Sequence, residues 1–164
     1  MMAAVKACED GSLIIDLTVM AKGGIDMMMA AVKAHEAKAR IIAVTELTSL
    51  SEEEVHLMSG QPAKASVINL ARNAVLAGVR HLVCSGQELE VLAKRPELSC
   101  LDKFIPAISP VWSLGAGADQ KRTATPEFAL KNGATALIIG RAIVLAENPL
   151  EAVERTAAEI EAIV

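Results

Sequence analysis

Short apolar stretches alternate with helix-like segments along this chain. The apolar stretches are rich in Val, Ile and Leu and have few polar positions, as strands buried between two layers do. They lie at Leu13–Val19, Ile41–Thr45, His81–Cys84, Phe104–Ile108 and Ala136–Ile139. We therefore predict five short parallel strands, each apolar on both of its faces.

Between the predicted strands, apolar residues recur at the spacing of amphipathic helices. The clearest predicted helices are Ile25–Ala34, Val67–Leu76 and a last helix from Leu150 to Val164. Residues typical of helix starts and of the chain reversals after helices punctuate these segments. The starts are Ser51-x-x-Glu54, Ser85-x-x-Glu88, Thr125-Pro126 and Asn148-Pro149-Leu150-Glu151, and the reversals are Gly60, Gly78 and Gly133.

The repeated order of strand, loop and helix indicates an α/β fold with a parallel sheet. A chain of 164 residues fits one domain, and we predict that residues 1–164 form a single α/β unit. Five strands at this length favour an open, flavodoxin-like sheet, because an eight-stranded βα barrel typically needs about 250 residues.

Composition excludes several classes of protein. Aromatic residues make up only 2% of the chain and the net charge is −4, which argues against a nucleic-acid surface. No apolar run is long enough to span a membrane. Three cysteines without metal-ligand spacing indicate reduced thiols in the core of a cytoplasmic protein. We predict neither a metal nor a cofactor.

The best candidate site is a phosphate cradle. Gly140 would end the last strand and let an anion approach backbone N–H groups, and Arg141 would add a charged fork. Gln120, in the loop after the preceding strand, could donate a hydrogen bond to the same phosphate. The alternative is a tight turn at Gly140 with a solvated charge at Arg141.

Other polar residues at the predicted strand ends are weaker candidates. Thr48 and Ser49 could bind a polar ring or serve as caps. Lys22 could face an anion or lie on the surface, and Asp16, inside an apolar strand, could be a catalytic acid or base or a structural charge at the strand edge. Arg122 could form a loop salt bridge with Asp119. The three histidines lie away from the predicted ligand end, and Cys84 is assigned to core packing.

Taken together, the ordered segments resemble the orotidine 5′-phosphate decarboxylase family from about residue 11 to the end of the chain. The matching segments are Gly23-Gly24 with Met27-Met28-Met29-Ala30-Ala31, Ile42 to Ser49, Ala77-Gly78-Val79 with Val83-Cys84-Ser85, Asp119-Gln120-Lys121-Arg122 with Thr125-Pro126, and Gly133-Ala134 with Ile139-Gly140-Arg141-Ala142-Ile143 and Asn148-Pro149. Each segment alone is weak, but the series is specific.

The resemblance implies a partial βα barrel of about five strands that acts on a pyrimidine nucleotide monophosphate or a similar phosphate ester. It implies that Gln120, Gly140 and Arg141 hold the phosphate and that Ser49, with Thr48 beside it, contacts the pyrimidine. The family reaction converts orotidylate to uridylate and carbon dioxide in pyrimidine biosynthesis, and the family enzyme is a dimer.

The chain departs from the family where the chemistry is done. No Asp-x-Lys-x-x-Asp segment occurs, and Thr18 stands where its lysine belongs. Met20 replaces a histidine, and Pro110-Val111-Trp112-Ser113 replaces a Pro-Gly-Ile-Arg turn. Lys22 and Asp16 are the remaining catalytic candidates, so we expect weak activity or none.

Two further possibilities follow from these departures. The chain could be a non-catalytic phosphate-binding half-barrel that pairs with itself, because unpaired sheet edges invite another chain. We therefore expect a homodimer or a higher homo-oligomer. A sugar-phosphate decarboxylase or aldolase of the same barrel group is the third possibility, although such enzymes usually need a metal held by early-strand carboxylates that this chain lacks.

Overall fold

The computed structural model describes residues 15–34, 39–113 and 122–163. Within these ranges, five strands form one parallel sheet in the order β1-β2-β3-β4-β5. The strands are β1 Ile15–Met20, β2 Ala39–Val44, β3 His81–Val83, β4 Asp102–Ile105 and β5 Ala136–Leu137. All five predicted strands are present with small shifts at their ends, although residues 13 and 14 lie outside the described ranges.

The strand order decides between the two predicted architectures. Each strand pairs with its neighbour in sequence, as strands of a βα barrel do. A flavodoxin-like sheet would have the order 2-1-3-4-5, so that alternative is wrong. The fold is an open, partial barrel of five parallel βα units.

Seven α-helices lie in the described residues, and several begin and end where the sequence predicts. They are α1 Ile25–Ala34, α2 Glu52–Ser59, α3 Ala63–Leu76, α4 Leu89–Ala93, α5 Pro126–Lys131, α6 Arg141–Val144 and α7 Pro149–Glu161. Ser51 and Glu54 form the predicted capping box at the start of α2, and Thr125 caps α5. Gly60, Gly78 and Gly133 all have positive φ at chain reversals.

The core lies between the sheet and the helices on one of its faces. Val19, Ala43, Leu82 and Ile105 point from the strands into a single apolar cluster with residues of α1, α3, α4 and α5. Cys84 belongs to this cluster, as predicted, and burial raises the pKa of its thiol. Cys100 is exposed, so the prediction of a core thiol is wrong there, and Cys8 lies outside the described residues.

The opposite face of the sheet is less well covered. Along β1, Asp16, Thr18 and Met20 are exposed, whereas Val19 between them is buried. The prediction that every strand is apolar and buried on both faces is therefore wrong for β1. Among the described residues, no helix layer covers this side of β1, and its side chains alternate between core and open face.

Candidate functional site

The loops that follow the strands meet at one edge of the sheet, because the carboxyl ends of parallel strands lie together. We call this the carboxyl edge. A 3-10 turn at Ala21–Gly23 follows β1, a turn over residues 45–50 follows β2, and a second 3-10 turn at Gly86–Glu88 follows β3. Gly140 and α6 follow β5.

A buried ion pair joins two of these loops. The Arg122 Nη1 donates to Glu88 Oε1 at 2.7 Å, and both side chains are almost completely enclosed. The other carboxylate oxygen accepts the backbone N–H of Ser85 at 2.8 Å in a capping box. Burial raises the pKa of Glu88, while the Arg122 charge opposes that rise. Because almost no water reaches either side chain, each charge depends on its protein partners for stabilisation.

A second acidic side chain is buried beside it. Glu46, just after β2, lies with Oε2 2.7 Å from Lys22 Nζ, and its Oε1 accepts a hydrogen bond from Ser66 Oγ at 2.6 Å. Ser66 is in the first turn of α3, so three elements share one carboxylate. Lys22 therefore lies at the carboxyl edge, where the sequence placed it as a candidate, and its ammonium is engaged by Glu46.

The segment after β2 contains the two hydroxyls predicted to contact a ring. Leu50 N–H donates to the Leu47 carbonyl at 3.1 Å and closes a turn around Thr48 and Ser49. Thr48 is buried and Ser49 is exposed. Only Ser49 of the two is thus open to a ligand without movement of the turn.

The predicted phosphate cradle has an open backbone. Gly140 precedes α6, and its carbonyl accepts the N–H groups of Ile143 and Val144. Apart from its chain neighbours, no atom of the described residues lies within 4 Å of the place that a Cβ would occupy on Gly140, so residues 15–34, 39–113 and 122–163 leave room for an anion. Arg141 is exposed at the first position of α6. Gln120 lies outside the described residues, as do Asp119 and Lys121.

A small cleft of about 340 Å³ lies at the same edge, between the loops after β3 and β4. Its lining residues are Gln87, Ser109, Thr123, Ala124, Thr125 and Phe128. Gly86 packs so closely on Ala124 that an added Cβ would lie 2.6 Å from the Ala124 Cβ. Ala107, after β4, has a positive φ of 57°, a conformation that costs energy for a residue with a Cβ.

Asp16 does not belong to this edge. It lies near the amino end of β1, where its two carboxylate oxygens accept hydrogen bonds from Arg40 of β2 at 2.6 and 2.8 Å. Its side chain is exposed, although the strand around it is largely apolar. The geometry favours the structural interpretation of Asp16.

The two buried acids were not among the sequence candidates. Glu46 lies between Thr45 and Leu47, just after the apolar run of β2, and its sequence context gives no sign that it is buried. Glu88 was assigned to a helix cap, which accounts for one of its oxygens. The structure pairs Arg122 with Glu88, and Asp119, the partner that the sequence suggests, lies outside the described residues.

Other kinds of site find no support in the part of the chain that the structure describes. No group of three or more His, Cys, Asp or Glu side chains there could hold a metal ion. No helix in the described ranges is long and apolar enough to cross a lipid bilayer.

Known proteins match this chain over most of its length. Residues 4–156 match the model of the orotidine 5′-phosphate decarboxylase / HUMPS family. The orotidine 5′-phosphate decarboxylase of Streptococcus sanguinis (strain SK36) is 40% identical over 149 residues, which cover 87% of this chain and 62% of the relative. The orotidine 5′-phosphate decarboxylase of Thermobifida fusca (strain YX) is 43% identical over 148 residues, which cover 88% of this chain and 61% of the relative.

The fold matches as well. The crystal structure of the orotidine 5′-phosphate decarboxylase from Lactobacillus acidophilus superposes with a TM-score of 0.72 at 28% identity. The match covers 96% of this chain and 67% of that one. The chain thus spans about three fifths of the length of the curated relatives that it matches.

Proposed function

Since this chain belongs to the orotidine 5′-phosphate decarboxylase / HUMPS family, we propose that its carboxyl edge binds a pyrimidine nucleotide monophosphate or a similar phosphate ester. The observation that supports this proposal most directly is the open backbone at Gly140, followed by the exposed Arg141. A phosphate there would meet backbone N–H groups and a guanidinium fork, both of which suit an anion. Gln120 is proposed as a further phosphate ligand.

The base of the nucleotide is proposed to lie at the turn around Thr48 and Ser49. Ser49 is the exposed hydroxyl of this turn, and a hydroxyl can donate to a ring carbonyl and accept from a ring N–H. Thr48 is buried beside it.

The proposed reaction is that of the relatives' names, the decarboxylation of orotidine 5′-phosphate, at a low rate or not at all in this chain alone. Decarboxylation builds negative charge on carbon, and a charged array must stabilise that charge in the transition state. The Asp-x-Lys-x-x-Asp segment is missing from the sequence. Lys22, the remaining candidate cation near β1, already faces the Glu46 carboxylate.

Calorimetric titration with uridylate tests phosphate binding. Arg141→Ala should abolish measurable binding, because it removes the guanidinium from the proposed site. Arg80→Ala is the matched control, since Arg80 is an exposed arginine just before β3, at the opposite end of the sheet. Unchanged affinity in Arg141→Ala would return Arg141 to the role of a surface charge.

Turnover tests the catalytic part separately. The purified chain should consume orotidylate far more slowly than the roughly 1 to 1,000 per second typical of enzymes. The measurement is the loss of orotidylate absorbance at saturating substrate. A rate within the enzymatic range would contradict the proposed loss of catalysis.

A second candidate function is a non-catalytic half-barrel that assembles with itself. It is favoured by the open sheet: β1 and β5 each have a strand neighbour on one side only in the described residues. Met20 and Ile138, at the ends of these outer strands, are half-exposed apolar side chains. Unpaired strand edges of this kind tend to associate.

We accordingly propose a homodimer or a higher homo-oligomer. Sedimentation at micromolar concentration should show it, and Ile138→Lys should shift the population toward monomer by placing a charge beside β5. Wild-type chain that sediments only as a monomer would contradict this proposal. A cytoplasmic location is also proposed, in keeping with Cys84 and Cys100, which are both free thiols.

A further inference from the structure

We propose that Arg122 is a positioning residue that holds the Thr48–Ser49 turn in the shape that receives the base of the nucleotide. This inference rests on the proposed function and deepens it. Arg122 is buried, and the proposed reaction gives it no chemical step.

The contact that carries the inference is at the Leu47 carbonyl. Arg122 Nη2 donates to this oxygen at 2.8 Å across 75 residues of sequence. The same oxygen accepts the Leu50 N–H at 3.1 Å, the bond that closes the turn around Thr48 and Ser49. One carbonyl thus takes both hydrogen bonds, and Arg122 sets the direction in which the turn leaves β2.

Arg122 itself has little freedom to move. Its Nη1 is held by Glu88 Oε1 at 2.7 Å, and Glu88 is held in turn by the Ser85 backbone N–H at 2.8 Å. The backbone carbonyl of Arg122 also accepts a hydrogen bond from Ser85 Oγ at 3.3 Å. A planar guanidinium fixed at one nitrogen presents its other nitrogen in a defined direction. The loop after β3 therefore fixes the turn after β2 through one side chain.

A second pair of an arginine and a glutamate differs from the Arg122–Glu88 pair in its exposure to water. Arg72 of α3 donates two hydrogen bonds to Glu97 at 3.0 and 2.7 Å, yet both side chains are largely solvated. Burying such a pair costs desolvation that the attraction only partly offsets. The pair of Arg122 and Glu88 has this desolvation cost. Its location at the carboxyl edge lets Arg122 Nη2, which does not bond to Glu88, donate to the turn that presents Ser49.

Arg122→Lys tests the inference with the full chain. The lysine keeps the charge beside Glu88, but a single ammonium cannot serve Glu88 and the Leu47 carbonyl with the geometry of the fork. Affinity is measured by calorimetry for uridylate and for ribose 5-phosphate, which has the phosphate and sugar but no base. Uridylate should bind about ten-fold more weakly, the worth of one charge-assisted hydrogen bond, and ribose 5-phosphate should bind as before.

Arg72→Lys is the matched control, and it should leave both affinities unchanged. The amide exchange rate of Leu50 is the second measurement, because its N–H bonds to the same carbonyl. It should rise in Arg122→Lys while the exchange of core strand amides stays slow. A structural role without positioning would weaken both ligands together or leave Leu50 protected.

The results distinguish a failure of the positioning role of Arg122 from a failure of the proposed nucleotide binding. Wild-type chain that binds neither ligand would contradict the proposed function, and unchanged Leu50 exchange in Arg122→Lys would then overturn the positioning role as well. Wild-type binding of both ligands, with equal losses in Arg122→Lys, would overturn the positioning role alone. Selective loss of uridylate with faster Leu50 exchange would support both.

Discussion

The two ends of the sheet carry ion pairs of different kinds. At the amino end, Asp16 and Arg40 join neighbouring strands with side chains that are 37% and 46% exposed. At the carboxyl edge, Glu88 and Arg122 join two loops with side chains that are 2% and 5% exposed. The first pair gains little because water competes for both partners, whereas the second is isolated from water and depends wholly on its partners.

The difference shows where the fold uses buried charge. Replacing a buried pair by apolar side chains often stabilises a protein, so such pairs are poor evidence for stability alone. The carboxyl edge holds two buried glutamates, Glu46 and Glu88, and each connects loops that follow different strands. We infer that these pairs order the loops that form the candidate site.

The largest expected effect comes from breaking the enclosed pair. Arg122→Met should lower the free energy of unfolding by about 3–5 kcal/mol, because it leaves the Glu88 carboxylate buried without a counter-charge. Urea unfolding of the variant measures the loss. The double variant Glu88→Gln with Arg122→Met should recover part of it. If Arg122→Met lowers the free energy of unfolding no more than removal of an exposed pair does, the two ends of the sheet do not differ in the way that we infer.

Lys22→Met should have an intermediate effect. Glu46 is as buried as Glu88, but the Lys22 side chain is 32% exposed, so water can reach part of the pair. Ser66 would remain as a hydrogen-bond donor to Glu46. We expect a loss of about 1–3 kcal/mol in urea unfolding. Lys22→Arg, which keeps the charge, should lose less, and an equal loss in both variants would point to packing rather than charge.

The stability of the enclosed pair should also depend on pH. Burial raises the pKa of Glu88 in the folded chain above its unfolded value, so the folded state binds the proton more tightly. This carboxyl therefore contributes most stability below its unfolded pKa, and that contribution falls as the pH rises through the folded value. Unfolding free energies of wild type and Glu88→Gln should be compared upward from about pH 4.

The wild type should lose stability relative to Glu88→Gln over that range. The variant lacks the titrating group, so the difference between the two curves isolates Glu88 from the other carboxylates. A difference of the opposite sign would mean that the attraction of Arg122 outweighs burial, and that the enclosed pair behaves like the exposed ones.

The sequence predicted local features of this fold well. The capping box at Ser51 and Glu54 and the chain reversal at Gly60 depend on residues a few positions apart, and both are found in the structure. The apolar runs also located all five strands. What the pattern could not reveal was the open face beside β1, because exposure of Thr18 depends on which layers surround the sheet.

The candidate site was predicted only in part for the same reason. Gly140 and Arg141 are adjacent, and their sequence context is enough to suggest an anion site. Glu88 and Arg122 are 34 residues apart, and a helix-start motif already explained the glutamate. Their pairing follows from the loops meeting at one edge of the sheet, which periodicity along the chain does not encode.

Asp16→Asn should have the smallest effect, and it tests the exposed side of the comparison. Both partners reach water, so the free energy of unfolding in urea should stay close to that of the wild type. Added salt should not separate the two proteins, because it screens an exposed pair in the wild type as well. A loss as large as that of Arg122→Met would mean that Asp16 and Arg40 are covered in solution. The open face beside β1 would then be an interface, since nothing in the described chain shields that pair from water.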